Sequence, residues 1–532
     1  MYKHILGLLL FSLSFSSSFA QSKADGLPGD IEWGEELKQP AGTILSKTIA
    51  YNKSGMYALR VKDITDEEKA RVYIERYDND LRLKKAQEIE LKYKKKDRQF
   101  EDVIYHGGQL YLLTSFHNQA KKKNYLFKQK ISNERLQIND RDIEKIGELD
   151  TRNILRDGGF DLVQSKDTSK LMVYHQLPYK KGEAENFKLR VFDESFSEIW
   201  SKDISLPYNN EIFSVEEYRV DNQGNVYLLG VLYRDKVRIR RNGSPNYQYV
   251  ILTYTQDGSQ ANEYKIQLRD KFITDLTFRP DGRGNLVCSG FYSDRGTYSI
   301  KGTYFFRINT ETKEIFNENT KAFDFEFLTE FLSENKKRKA KDAERSGDTR
   351  RQAELYRFSL DELILRSDGG ALLIGEQYFV YEDFYRDPWT GFSRFDRYYH
   401  YNDIIIVNIR PTGEIEWATR IPKRQVTRND GGYYSSYAMS IVRDKIYFVF
   451  NDNNRNFADT RNDRLYNFNG RNSIVSIVEV SKDGNWTITP LFPNREVDLI
   501  TRPKVCKQVG RKKMLVYGEW GRLFRLAHLE FN

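Results

Sequence analysis

The sequence predicts an all-β protein: a single β-propeller of four-stranded antiparallel blades, eight of them, with seven as the alternative count. Three observations predict it. A strand–turn–strand unit recurs along most of the 532-residue chain, and self-similarity of this kind marks repeat architectures. The turns are short and built from Gly, Asp and Asn, which supply positive φ and local hydrogen bonds. Tyr and Phe number 35 and 33 against 12 Pro and 5 Met, a balance that suits half-buried pleated strands.

The chain opens "MYKHILGLLLFSLSFSSSFAQ". Lys3 and His4 precede an apolar run, Ile5–Phe15, and Ser18 and Ala20 put small residues at the positions a leader peptidase reads. The pattern predicts a signal peptide over residues 1–20, cleaved after Ala20, so the chain is expected to be exported to the periplasm or beyond. No Cys follows the cut, so a lipoprotein anchor is not expected. No later run approaches the ~18 apolar residues a membrane span needs. The leader carries one Lys and no acid, so the +9 of the full chain becomes +8. In an exported protein a mild basic excess favours anionic surface partners over nucleic acid.

Residues 29–40, "GDIEWGEELKQP", read like "GEIEWATRIPKR" at 414–425. The second copy falls at the end of a repeat, so the first is a final strand with no blade before it. The first two strands of successive blades (A and B) fall at 44–63, 100–116, 160–177, 213–233, 273–292, 359–378, 437–452 and 497–520. The second pair (C and D) is plainest at 187–206, 249–268, 404–422 and 474–492. The eighth repeat stops after "FRLAHLEF" and lacks a D strand. Residues 29–40 are therefore expected to close the last blade, removing two open sheet edges. The count falls to seven if 160–206 or 497–532 is something else.

In such a meander the A–B and C–D turns share one face of the disc, and the B–C and D–A connections share the other. The first set is minimal ("DNQGN", "SDGGA", "PTGE", "KDGN"). The long elaborations belong to the second: 234–246, 325–358, 381–403, 422–436 and 451–472. Loops longer than the scaffold needs are where function is sought. The 325–358 insertion is expected to be a short helix running into a solvated charged tract. The aromatic-rich segment 381–403, with Trp389 in its "DPWTG" turn, reads as a long hairpin held by cross-strand pairs. The candidate ligand-binding residues are Lys423, Arg424, Gln425, Arg428, Asn429, Tyr433 and Tyr434, with Trp389 on a second wall. They offer positive charge, directional hydrogen bonds and ring surface.

The chemistry-bearing motifs are few. "DNNRNFADTRND" places Asp452, Asn454, Asn456, Thr460 and Asp463 at calcium-loop spacing, but Phe457 and Asp463 stand where Gly and Glu belong, so a plain Asn/Asp-rich loop is expected. "SKDGNWT" (481–487) has a compressed likeness to the Asp-box turn of sialidases and reads as a hairpin turn with a packed Trp486. There is no CxxC, HExxH or GxSxG. No metal or cofactor is expected. Cys288 and Cys506 sit in apolar runs and read as small buried residues rather than a disulfide pair.

The stretch "DIIIVNIRPTGEIEWATRIPKRQVTRNDGGYYSSYA" (403–438) resembles a family of uncharacterised exported propeller proteins of Gram-negative bacteria. That resemblance implies a fold and no activity. The expectation is a non-enzymatic binding or scaffold module that recognises a protein or an anionic envelope polymer through one face. The alternative is a hydrolase or lyase acting on polysaccharide or peptide at the channel mouth. Carboxylates with shifted pKa values at the channel favour the enzyme; an apolar plug favours the module.

Overall fold

A computed structural model describes residues 26–65, 69–93, 96–151, 159–177, 181–235, 239–241, 243–255, 257–347, 352–386, 393–458 and 465–532. The expected signal peptide and Trp389 lie outside the described residues, as do Thr460 and Asp463.

Seven four-stranded antiparallel sheets follow one another along the chain, and an eighth sheet of six strand segments completes the series. Blade one is Ile44–Asn52, Gly55–Lys62, Arg71–Tyr77 and Leu83–Ile89. Blades two to five begin at Gln99, Phe160, Phe213 and Phe272. Blade six is Phe358–Leu365, Ala371–Arg386, Ser393–Ile409 and Ile415–Arg428. Blade seven runs from Ala438 to Pro493. The 160–206 and 497–532 repeats are both sheets.

The ring closes through its cores. Each sheet shares one buried apolar cluster with the next: Val72 and Ile74 with Val103 and Leu112, for example, between blades one and two. The last such cluster joins Leu515, Tyr517 and Leu526 of blade eight to Leu45, Met56 and Ala58 of blade one. Sheets that are buried on both faces make a β-propeller, and here the cycle of clusters returns to its start.

Blade eight is built from both ends of the chain. Its A strand is broken into Ile500–Thr501 and Lys507–Gly510, followed by Lys513–Trp520 and Leu523–Phe531. Gly29–Trp33 pairs antiparallel with that last strand, Gly29 opposite Phe531 and Trp33 opposite Ala527. Leu37–Lys38 continues along it. Gly29 must be small, because a Cβ there would sit 2.8 Å from the Glu530 carbonyl oxygen.

The insertion between blades five and six holds two helices, α1 (Phe325–Thr329) and α2 (Glu334–Arg345). The expected solvated tract is helical over most of its basic run and packs: Leu328, Ala340 and Ala343 are buried. Small residues at 340 and 343 let a highly charged helix sit close to the blades, which a charge count does not reveal. Cys288 and Cys506 are free thiols. No helix among the described residues is long and apolar enough to cross a membrane.

Candidate functional site

Four of the five long connections belong to blades five to seven. The B and C strands of blade six run past the blade as a hairpin arm, paired in register from Tyr378–Tyr401 out to Arg386–Ser393. Rings meet across it: Phe379 stacks on His400 at 4.2 Å, Tyr378 meets Tyr401 at 4.7 Å, and Phe384 meets Phe395 at 4.7 Å. Such cross-strand pairs stabilise a ribbon that has no core beneath it. The D strand extends with it, Arg428 opposite Tyr398. The blade-seven loop caps this strand: Asn467 accepts from Val426 N at 2.7 Å and donates back to Val426 O at 2.9 Å.

The structure divides the expected ligand-binding residues. Lys423 and Gln425 point into the interior rather than to the loop surface. Lys423 is 1% exposed and Gln425 0%, because two strand residues spaced by two share a face, and here that face is interior. The Lys423 ammonium donates to Glu376 Oε1 and Tyr401 O, both at 2.7 Å. Gln425 Nε2 donates to Asn451 O at 2.8 Å, and Asn451 donates to Tyr434 O and Thr501 O. Blades six, seven and eight are thus tied by one buried polar network.

Arg428 and Asn429 clip Asp396. Arg428 lies 2.8 Å from its carboxylate, and Asn429 donates to it at 3.0 Å. These contacts hold the Asp396 carboxyl below its ordinary value against the opposing effect of burial. Tyr433 and Tyr434 are half-buried and meet edge to face. The Arg502 guanidinium lies 3.8 Å above the Tyr433 ring. Burial pushes the Tyr433 hydroxyl well up and the Tyr434 hydroxyl up to about 12. Gly432 has φ +64°, and a Cβ there would strike the Tyr401 ring at 2.2 Å. Arg424 alone of the basic trio is exposed without an ion pair among the described residues. Within the calcium-spaced loop, Asp452 spends one oxygen on Asn453 N and Asn456 Nδ2, both at 2.7 Å.

The sequence reading named the channel but none of the residues that line it. The first strands of blades three to six line its central cavities, one of about 320 Å³ and one of about 550 Å³. Several first strands carry a one-residue bulge at a matching place, where Glu101, Glu216, Thr274 and Asp361 are the extra residues. A bulge lets two successive side chains share a face, so Glu101–Asp102, Glu216–Glu217 and Asp361–Glu362 crowd inward. The signal was a Phe opening each strand with acids one to four residues later. By area Glu216, Asp361 and Glu362 are exposed and Glu101 and Asp275 half-buried, so water reaches these carboxylates from the channel side while the surrounding blades crowd the other sides. Burial raises Asp361 to about 7, with Glu376 adding to it, and Asp275 to about 6. Burial likewise raises Glu101 to about 7, against a Ser115 hydrogen bond and with help from Asp161 and Asp102. Tyr437 donates to Asp361 at 2.5 Å, and Lys47 pairs with Asp102 at 2.7 Å.

No family model matches this chain, and no curated protein matches it in sequence. Among solved structures it is similar to the WD40 domain of SCAP from fission yeast, with 6% identity, 95% of each chain covered and a TM-score of 0.40. It is also similar to the β-propeller domain of the Trilobed protease from Pyrococcus furiosus, with 12% identity over 85% of this chain and 97% of that one, TM-score 0.33. The periplasmic gluconolactonase PpgL of Pseudomonas aeruginosa gives 8% identity over 73% and 98%, TM-score 0.30. Likenesses this distant carry no argument about activity; the propeller rests on the strand pairing and the closed cycle of cores.

Proposed function

We propose that this chain is an exported, non-enzymatic binding propeller that recognises an extended segment of a partner protein on the arm of blade six. One observation carries the reading. Along 379–386 the outer edge of the arm has no strand partner among the described residues, since the blade-six A strand pairs only as far as Gln377. That edge carries Tyr381, Phe384 and Tyr385, 55%, 53% and 49% exposed, with Phe395 at 67% beside them. Long, flat, apolar edges are normally blunted; one left open is a template for an added strand, with backbone hydrogen bonds for affinity and rings for specificity. A second copy of the chain is a poor occupant: antiparallel self-pairing centred on Asp383 sets that carboxylate against its own copy, and like charges opposite one another destabilise a ladder. An extended segment with a basic residue between apolar ones fits. Export, and kinship with exported Gram-negative propellers, belong to the same proposal and rest on the leader-like N-terminus and the 403–438 stretch.

The anionic-polymer version loses Lys423, which Glu376 neutralises, and is left with Arg424 and with Arg394 and Arg428, which share the one Asp396 carboxylate. The test is photo-crosslinking from benzoyl-phenylalanine at Phe384, with a control at Asn225 on the opposite face. A single protein crosslinked at 384 and not at 225, lost in a Tyr381→Ser/Phe384→Ser/Phe395→Ser variant of unchanged Tm and little affected by salt, is the expected result. Binding that survives the triple change, or collapses with salt, counts against it. A second reading, a hydrolase or lyase in the channel, draws on the raised carboxylates. It stands second because Asp275 and Asp361 already hold structural hydrogen bonds, from Leu360 N and the Tyr437 hydroxyl.

A further inference from the structure

A cavity of about 990 Å³ lies between the α1–α2 insertion and blades five and six. Its walls are apolar where the helices meet the sheet: Leu328, Leu332, Ala340, Ala343, Leu355 and Phe358. At one end stands Arg420. Its side chain is 5% exposed, yet its guanidinium makes no hydrogen bond among the described residues. Nε is buried and unpartnered. The nearest carboxylate oxygen, Asp403 Oδ2, is 3.6 Å from Nε, beyond hydrogen-bond reach, while the other Asp403 oxygen accepts from Lys423 N at 3.2 Å. The Phe331 ring lies 4.2 Å from the guanidinium carbon.

A guanidinium has five donors to satisfy; of Arg420's nitrogens only Nε is fully buried without a partner, so the Nη groups keep access to the cavity, where an acceptor would meet them. Other charges line the same cavity. Arg295 and Glu354 pair with each other at 3.9 Å, and Glu354 is further held by Ser293 and Ser299. Lys336, Lys339 and Asp342 lie on α2. Counting Arg420 and Asp403, the lining holds four cations against three carboxylates, with Glu330, outside the lining, adding a negative charge that Arg420 also feels. The volume falls in the range of small-molecule sites, which combine apolar walls with a few placed polar groups.

We propose that this cavity binds a small amphipathic carboxylate, its head on the Arg420 guanidinium and its apolar body between α1–α2 and the sheet. The planar fork of an arginine matches a carboxylate with two parallel hydrogen bonds. The apolar walls would bury a chain that blade packing alone leaves uncovered. This site is separate from the blade-six arm.

The test is calorimetric titration of the full mature chain with three probes below their micellar concentrations: dodecanoate, dodecanol and dodecyltrimethylammonium. Dodecanoate is expected to bind one-to-one and raise Tm, with dodecanol at least tenfold weaker and the cation weaker still. Arg420→Gln is expected to weaken dodecanoate at least tenfold and leave dodecanol unchanged; Ala343→Phe, which fills the wall, is expected to exclude both. Equal affinity for dodecanoate and dodecanol overturns the proposal, as does no saturable dodecanoate binding or full affinity in Arg420→Gln. Should Arg420→Gln fail to fold, the head-group comparison on the unaltered protein decides.

Discussion

The Lys423 ammonium lies 2.7 Å from Glu376 Oε1, and the two side chains are 0% and 4% exposed. A charge pair this deep is neutral only while both members are present. Ser436 Oγ donates to the second Glu376 oxygen at 2.8 Å, so the pair also fixes the turn leading into blade seven. Removing one member leaves an uncompensated buried charge, which costs about 3–5 kcal/mol. Lys423→Met is expected to lose about that much in urea unfolding, while Lys423→Met/Glu376→Leu recovers most of it. Loss of less than about 1 kcal/mol in the single variant would place Lys423 at the surface, where exposed pairs are worth little.

Closure of the ring hangs on a second buried network. Arg60 Nε donates to Glu75 Oε1 at 2.7 Å and its Nη1 to Gln39 Oε1 at 2.5 Å. Gln39 Nε2 then donates to Glu519 Oε2 at 3.2 Å. Gln39 thereby links blade one to blade eight between two charged groups. Gln39→Ala leaves both partly unsatisfied and is expected to cost about 1.5–3 kcal/mol, the range for hydrogen bonds to charges. Deleting Gly29–Pro40 also bares the Leu523–Phe531 edge and the core beneath Trp33, and is expected to abolish a cooperative melt. A truncated chain that melts as the full one does would sink the closure role.

The repeats were legible because turn chemistry and the period-two pattern act locally. Side-chain direction was not, because it depends on register. Trp33 and Trp417 occupy matching places in two similar strings, yet they face different ways along the ring. Trp33 has an uninterrupted register and packs back on Phe492 of blade seven. A bulge between Asn408 and Ile409 makes Glu416 an extra residue and turns Trp417 forward onto blade seven. One residue of slip exchanges the two faces of a strand, and nothing in "GEIEW" against "GDIEW" announces it. The channel acids escaped for the same reason, since bulges aim them. Lys423 and Gln425 were misread because a polar residue in a loop-like string looks exposed until a third strand is laid over it. The loop positions themselves were readable from the parity of the meander.

Trp417 and Trp200 share a latch. Each indole Nε1 donates to a turn carbonyl of the next blade, Lys482 O at 2.8 Å and Gly224 O at 3.0 Å. Each also lies on a C–D-turn glycine of that blade. A Cβ would meet the ring at 2.7 Å from Gly484 and 2.8 Å from Gly258, and both glycines have positive φ. Gly484→Ala and Gly258→Ala are each expected to destabilise by about 1–3 kcal/mol, combining left-handed strain with the clash. The matched control is Gly282→Ala, with φ +72° and nothing within 4 Å, which isolates the strain alone. If all three variants lose the same stability, the indoles are not in contact with these turns.

The channel carboxylates give a pH dependence with a definite sign. Burial raises Asp361 from 3.8 to about 7, Asp275 from 3.8 to about 6 and Glu101 from 4.5 to about 7. Between about pH 4 and 7 the folded chain holds protons that the unfolded chain has released. These groups therefore make stability fall as pH rises through that window, and the loss is complete above the folded values. His175, lowered by burial to about 3, acts in the opposite sense between 6.5 and 3, so the whole-protein curve is a sum. A difference measurement isolates the acids. Asp361→Asn keeps an oxygen to accept from Tyr437 and cannot ionise. Its Tm relative to the unaltered protein is expected to rise steadily from pH 5 to pH 7.5 and then level off, with Asp361→Asn/Glu101→Gln showing a larger slope. A difference that stays flat across that range would mean Asp361 ionises as it does in water, and that the channel is open solvent rather than a walled site.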